Sequence, residues 1–167
     1  MEFRKAMESD IDNIMKIIKQ AQDYFKEEGI DQWQNNYPNP QVIRADIERG
    51  YGYVLLKEGK VVGTVSVSFD GERTYEKIYE GQWISDFDYA VIHRLAIERN
   101  LKGRGLASII IKNIEKMCLS KNIHSIRIDT HEDNKSMQRL IEKNGFKYCG
   151  IIHLMDNSKR LAYEKII

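Results

Sequence analysis

Residues 102–108 read Lys102-Gly103-Arg104-Gly105-Leu106-Ala107-Ser108, and this stretch decides the fold. An apolar run, 89–97, precedes it and suits a central strand. Behind it, Leu106, Ile109, Ile110, Ile114, Met117 and Cys118 recur at helical spacing and predict a helix over 106–120. A strand, a glycine-rich turn and a helix start make an anion site. First-turn N–H groups lack partners within the helix, and the helix dipole places partial positive charge there. Gly103 and Gly105 permit backbone conformations that cost other residues more, and they leave room for close approach. Lys102 and Arg104 add positive charge, and Ala107 lets the helix begin tight against a ligand. The Walker spacing is absent, because no Gly-Lys-Ser/Thr follows a glycine by four residues. The dinucleotide fingerprint fails too, since Ser108 stands where a third glycine belongs. The residues alone point to a phosphate-bearing ligand.

Working outward, 2–6 reads as a short strand and 10–28 as a helix with Ile11, Ile14, Met15, Ile18, Ala21 and Phe25 on one face, Ser9 as its N-cap and Gly29 as its stop. An irregular loop, 29–39, leads to Asn39-Pro40, an N-cap and first position for a second helix ending near Gly50. Strands 51–57 and 61–69 flank Glu58-Gly59-Lys60, a hairpin signal, with Val61, Gly63, Val65 and Val67 on one parity. A polar stretch, 70–88, interrupts the pattern. After the loop and its helix come a strand at 124–130, a helix at about 134–144 stopped by Gly145, and strands near 146–154 and 159–166 joined around Asp156-Asn157. The order β-α-α-β-β-β-α-β-α-β-β, without repeat or linker, predicts one mixed α/β domain over residues 1–167.

Lys+Arg 26 against Asp+Glu 25 leaves a net charge of +1, too balanced for a nucleic-acid or membrane surface. No apolar run approaches a membrane span, and Met1-Glu2-Phe3-Arg4-Lys5 lacks the order of a signal peptide. A cytoplasmic location is therefore expected, with Cys118 and Cys149 as reduced thiols. No H-x-x-x-H or C-x-x-C spacing exists, so no metal site is expected.

The stretch from Leu95-Ala96-Ile97 to Ala107 resembles the acetyl-CoA motif of the GNAT N-acetyltransferase superfamily, Q/R-x-x-G-x-G/A, with Lys102, Gly105 and Ala107 at its defining positions. Lysine replaces the usual Gln or Arg. A second block, Asp133-Asn134-Lys135-Ser136-Met137 to Lys143-Asn144-Gly145-Phe146, resembles the family's next helix and its closing Gly-Phe. The resemblance implies the GNAT fold: a mixed sheet of six or seven strands with splayed central parallel strands, 89–97 and 124–130, flanked by four helices. It implies acetyl-CoA as co-substrate, lying in the V between those strands. Pantetheine would pair with the backbone of Leu95, Ala96 and Ile97, the pyrophosphate would sit on Lys102, Gly103, Arg104, Gly105, Leu106, Ala107 and Ser108, and Asn134 would contact the CoA arm. The partner is an amine acceptor on a small molecule, amino acid or peptide, and a homodimer stays open.

Acyl transfer to an amine needs a neutral nucleophile, a polarised thioester carbonyl and a proton for the leaving thiolate. A backbone N–H near Ile97 is the expected oxyanion-type donor. His93 is the candidate base, since a free imidazole titrates at about 6.5, and it shares strand parity with Tyr89, Val91, Leu95 and Ile97. A histidine two residues before the Leu-Ala-Ile segment also resembles the arrangement in arylalkylamine N-acetyltransferases. A hydrogen-bonded core histidine is the competing reading. Arg94 falls on the opposite parity and reads as structural. The family's acid is a tyrosine five residues before the phenylalanine of Gly-Phe; here that position is Ile141, which leaves Tyr148 or Tyr89 to supply the proton. Among the other histidines, His131, after Asp129-Thr130, has the stronger claim, while His124 reads as exposed and His153 as structural. Trp33, Tyr37 and Trp83 are the candidate acceptor wall, with Asp31 or Asp86 drawing a cationic amine; closure of the core is the alternative use of these rings. The missing tyrosine motivates a second reading, an acyl-CoA-binding sensor or interaction domain without turnover.

Overall fold

Seven strands and four α-helices form on the stretches that periodicity marks, and the computed structural model describes all residues 1–167. In chain order these are β1 (Glu2–Lys5), α1 (Ile11–Glu27), α2 (Pro40–Glu48), β2 (Gly52–Lys57), β3 (Lys60–Ser68), β4 (Ala90–Ile97), α3 (Leu106–Ser120), β5 (Ser125–Thr130), α4 (Lys135–Lys143), β6 (Lys147–His153) and β7 (Lys159–Ile166). The strands lie in one sheet in the order β1-β2-β3-β4-β5-β7-β6. The sheet is mixed: β1–β2, β2–β3, β5–β7 and β6–β7 pair antiparallel, while β4 and β5 pair parallel through Ala90↔Ile126 and Val91↔Arg127.

Local chemistry explains most boundaries. The Asn39 side chain accepts a hydrogen bond from the Val42 N–H at 3.0 Å, and Pro40 follows at the first helical position. Glu58 and Gly59 both have positive φ, 52° and 75°, the geometry of a tight hairpin turn, so β2 and β3 close through Lys57↔Lys60. One expectation needs correction. Ser9 is not the cap of α1: a short 3₁₀ turn, Glu8–Asp10, leads in, and the Asp10 carboxylate accepts from the Met7 N–H at 2.7 Å. In β3 both faces are covered, because residues 62–68 are all buried. In α3 the fully buried positions include Ile111, while Ile109 and Met117 are only partly covered.

The chain divides into two compact units that interleave in sequence. One comprises 1–67 with 93–113, the other 68–92 with 114–167. The first has a core of Ile11, Ile14, Ile17, Ile18, Ile43, Val54, Leu56 and Ala96. The second centres on Tyr75, Val91, Ile152 and Ala162. Both cysteines are unpaired and buried.

Candidate active site

In the first unit, β4 ends at Ile97, where the Glu98 N–H donates to the Val62 carbonyl at 2.8 Å. The Glu98 carboxylate caps a 3₁₀ turn, Arg99–Leu101, by accepting from the Asn100 N–H. This turn delivers the chain to 102–105, which is exposed, and α3 begins at Leu106. Gly103 and Gly105 have φ of 79° and 78°, and a Cβ built on either would meet no atom within 4 Å. The glycines therefore serve the backbone path and leave open space beside it. The first i→i−4 bond of α3 runs from Ile109 N–H to Gly105 C=O, so the amides of Leu106 and Ala107 precede the intrahelical ladder. Residues present thus fit a diphosphate: a cradle that side chains would fill, at the positive end of a fifteen-residue helix. The Lys102 ammonium lies over the Tyr24 ring of α1, 4.5 Å from its centroid, and partial desolvation together with Arg99 lowers its pKa.

Upstream of the loop, β4 is not a regular strand. Arg94 has φ of 52°, a left-handed conformation that costs a residue with a side chain. A left-handed residue interrupts the pleat of a strand, as at a β-bulge, and so breaks the two-residue period; this kink at Arg94 is termed the β4 bulge. The parity shared by Tyr89, Val91 and His93 therefore does not extend to Leu95 and Ile97. His93 itself is half-buried on β4, directly before the bulge. The Arg94 guanidinium forks onto Asp46 of α2, with Nε and Nη2 donating at 2.8 and 2.6 Å, and Nη1 donates to the Tyr37 hydroxyl at 2.9 Å. Burial lowers the Arg94 pKa, but hydrogen bonding to Asp46 and the nearby Tyr37 outweigh it, and the net shift is upward. On β3, a Cβ at Gly63 would come within 2.9 Å of Ile97 and Ile110 side-chain atoms and 3.5 Å of the Ala96 carbonyl oxygen, so only glycine leaves the end of β4 and α3 this close.

The model of the acetyltransferase (GNAT) family matches residues 15–146. The chain belongs to the GNAT acetyltransferase family. It is similar to a GNAT-family acetyltransferase from Streptococcus agalactiae 2603, at 37% identity over 99% of this chain and 95% of that one, with a TM-score of 0.91. A GNAT-family acetyltransferase from Listeria monocytogenes 4b F2365 shares the fold at 21% identity, covering 99% and 94% of the two chains, with a TM-score of 0.76. PaiA N-acetyltransferase from Thermoplasma acidophilum, in complex with coenzyme A, shares it at 16% identity, covering 99% and 98%, with a TM-score of 0.74. As a GNAT acetyltransferase the protein uses acetyl-CoA and an acceptor.

The other residues singled out for this GNAT acetyltransferase fall into different surroundings. Trp33 is half-buried, edge-on to Phe25 at 5.7 Å, within the packing of α1. Tyr37 is 42% exposed, with its hydroxyl on Arg94. In the second unit, Trp83 donates from Nε1 to the Tyr75 carbonyl at 2.9 Å, and the Arg127 guanidinium lies over the Trp83 ring at 4.2 Å and the Tyr89 ring at 4.1 Å. Tyr89 accepts from the Glu72 N–H. Tyr148 is half-exposed and edge-on to Tyr163. Ile141 is fully buried in α4. The Asn134 side chain caps α4 by accepting from the Met137 N–H at 3.1 Å. His131 accepts at Nδ1 from the Asp133 N–H, His124 bridges Asn122 and Ile167, and His153 meets the Tyr79 ring.

Several organising residues escaped the sequence reading. Asp46 occupies an inward position of α2 three residues after Ile43, and an acid on an apolar stripe is the signal that could have found it. Glu164, 0% exposed on β7, accepts from Ser85 and Ser125 hydroxyls at 2.6 Å each and from the Ile84 N–H at 2.8 Å, with Arg127 alongside at 3.5 Å. Tyr75, 1% exposed, donates to Asp129 at 2.6 Å, and burial followed by the Asp129 charge raises its pKa well above the usual phenol value. No local pattern marks either group.

Proposed function

We propose that the protein transfers the acetyl group of acetyl-CoA directly to a primary amine of a small molecule, amino acid or peptide, with residues 1–167 acting as one acetyltransferase domain. The observation that carries this reading is the open double-glycine loop at the start of α3, reached from a β4 strand bent by a left-handed arginine. Backbone strain of this kind gathers where a chain must present unusual geometry to a ligand. A protein of the same fold binds coenzyme A, which supports the donor assignment.

Leu95, Ala96 and Ile97 hold the pantetheine arm by backbone hydrogen bonding, and Lys102 to Ser108 hold the pyrophosphate on first-turn amides. Asn134 joins the donor arm on the strength of the motif resemblance, besides capping α4. When bound, acetyl-CoA supplies a thioester carbonyl and a thiolate leaving group. A β4 amide near Ile97 stabilises the charge that develops on the carbonyl oxygen. His93 takes the proton from the acceptor ammonium, leaving a neutral nucleophile. Ile141 has no acidic proton to give, so the thiolate is protonated by another group or by water. Trp33, Tyr37 and Trp83 are the aromatic candidates for the acceptor side.

Thiol release with acetyl-CoA and a panel of primary amines tests the reaction. Acetyl-CoA binding without turnover on any amine would favour the silent sensor reading. His93→Ala should lower kcat/KM by about 100- to 1,000-fold and alter the pH–rate profile. An unchanged rate and profile would remove His93 as the base.

A further inference from the structure

The left-handed turn at Arg94 needs an explanation, because an arginine does not hold φ of 52° in a strand without support. Four hydrogen bonds supply it, from three different elements. Asp46 of α2 takes the fork at 2.8 and 2.6 Å, Tyr37 of the α1–α2 loop accepts at 2.9 Å, and Ser66 of β3 accepts from Nη2 at 3.3 Å. Asp46 is 5% exposed and the Arg94 side chain 15%, so the fork is shielded from water, where bidentate charge-assisted bonds are strong and directional. An ion pair between α2 and β3 or β4 needs no left-handed residue; this one coincides with it.

We propose that Asp46, aided by Ser66 and Tyr37, clamps Arg94 in its left-handed conformation and thereby sets the orientation of Leu95, Ala96 and Ile97. Arg94 and Asp46 are then positioning residues for acetyl transfer. This rests on the reading of β4 as the donor-binding strand. The physical link is the period of a strand: if the bulge relaxed, the residues beyond it would slip by one and turn their amides and side chains to the opposite faces. Tyr37 brings the α1–α2 loop, an expected acceptor element, onto the same guanidinium.

A purely stabilising ion pair predicts a different mutational pattern, and glycine separates the two. Asp46→Asn/Arg94→Ala and Asp46→Asn/Arg94→Gly both remove the clamp without stranding a buried carboxylate. They differ in one respect, since glycine holds positive φ freely and alanine does not. Assayed well below their melting temperatures, the alanine pair should lose about a hundredfold in kcat, the scale of a misplaced site. The glycine pair should stay within about tenfold of wild type, because the bulge persists. Equal losses in both, or no loss in either, would overturn the clamp. Should the unmodified protein turn over no amine, the proposed reaction fails but the clamp is still decided by the ¹H–¹⁵N amide shifts of Leu95, Ala96 and Ile97. Shifts near wild type with glycine and displaced with alanine support it, and equal displacement in both refutes it.

Discussion

Asp10 shows how much one side chain can organise. It accepts two bonds from Arg4 at 2.8 and 3.1 Å and one from the Met7 N–H, joining β1 to the entry of α1. Hydrogen bonding to Arg4 is the main reason its pKa lies below the ordinary carboxylate value of 3.8, against an opposing effect of burial. A carboxylate whose folded pKa is depressed stabilises the fold fully above its unfolded pKa and loses that share as pH falls through the folded value. Asp10→Asn should therefore cost about 1–2 kcal/mol at neutral pH. The gap to wild type should begin to narrow below about pH 4 and close only below the depressed folded pKa. Urea melts across the acid range measure this, and a gap that stays constant with pH would mean that the charge contributes nothing. The sequence displays Asp10 only as an acid near a helix start, because its partner Arg4 lies on a strand and proximity in space is not written in the helix pattern.

At the scale of elements, 70–88 illustrates what periodicity misses. It reads as a polar interruption, yet Tyr79 bridges to Ile151 of β6 with reciprocal backbone bonds of 2.8 Å, and Ile84 and Ser85 bond Glu164 of β7. Gly81 is the tightest point: a Cβ there would lie 1.9 Å from the Cys149 carbonyl oxygen, and backbone has nowhere to retreat. Gly81→Ala should lower stability by about 1–3 kcal/mol. A denaturation midpoint equal to wild type would show that this segment does not pack on β6. By contrast, α1, α2, α3 and the β2–β3 hairpin are legible in advance, since their apolar spacing, Asn39-Pro40 and the Glu58-Gly59 turn are local signals. The β4 bulge is not legible, because nothing about Arg94 as a residue type favours positive φ.

At the scale of the whole molecule, donor binding and folding are linked, since a ligand held only by the folded state stabilises it. Acetyl-CoA at about a hundred times its Kd should add about 2.7 kcal/mol and raise Tm accordingly. Gly105→Glu fills the open space beside the loop and sets a carboxylate where the pyrophosphate is proposed to lie, so its Tm should not respond to acetyl-CoA. Gly105→Ala carries the strain of φ 78° with little bulk and no charge, and should retain most of the response. Thermal shifts with and without acetyl-CoA distinguish the two, and a full response in Gly105→Glu would move the phosphate site elsewhere. The balanced charge of +1 is consistent with a small-molecule co-substrate, and no helix is long and apolar enough to cross a membrane.

By itself the sequence determined the order of elements, the double-glycine loop at the head of α3 and, through that loop with Asn134 and Gly145-Phe146, membership of the GNAT acetyltransferases. These are signals of spacing, carried by residues a few positions apart and read by the backbone locally. Tertiary structure alone decided that Arg94 turns left-handed, that Asp46 holds it from 48 residues away, and that Glu164 gathers Ser85, Ser125 and Arg127. A buried charge must find its partner wherever packing excludes water, and that partner is chosen by three-dimensional proximity, which no local pattern encodes.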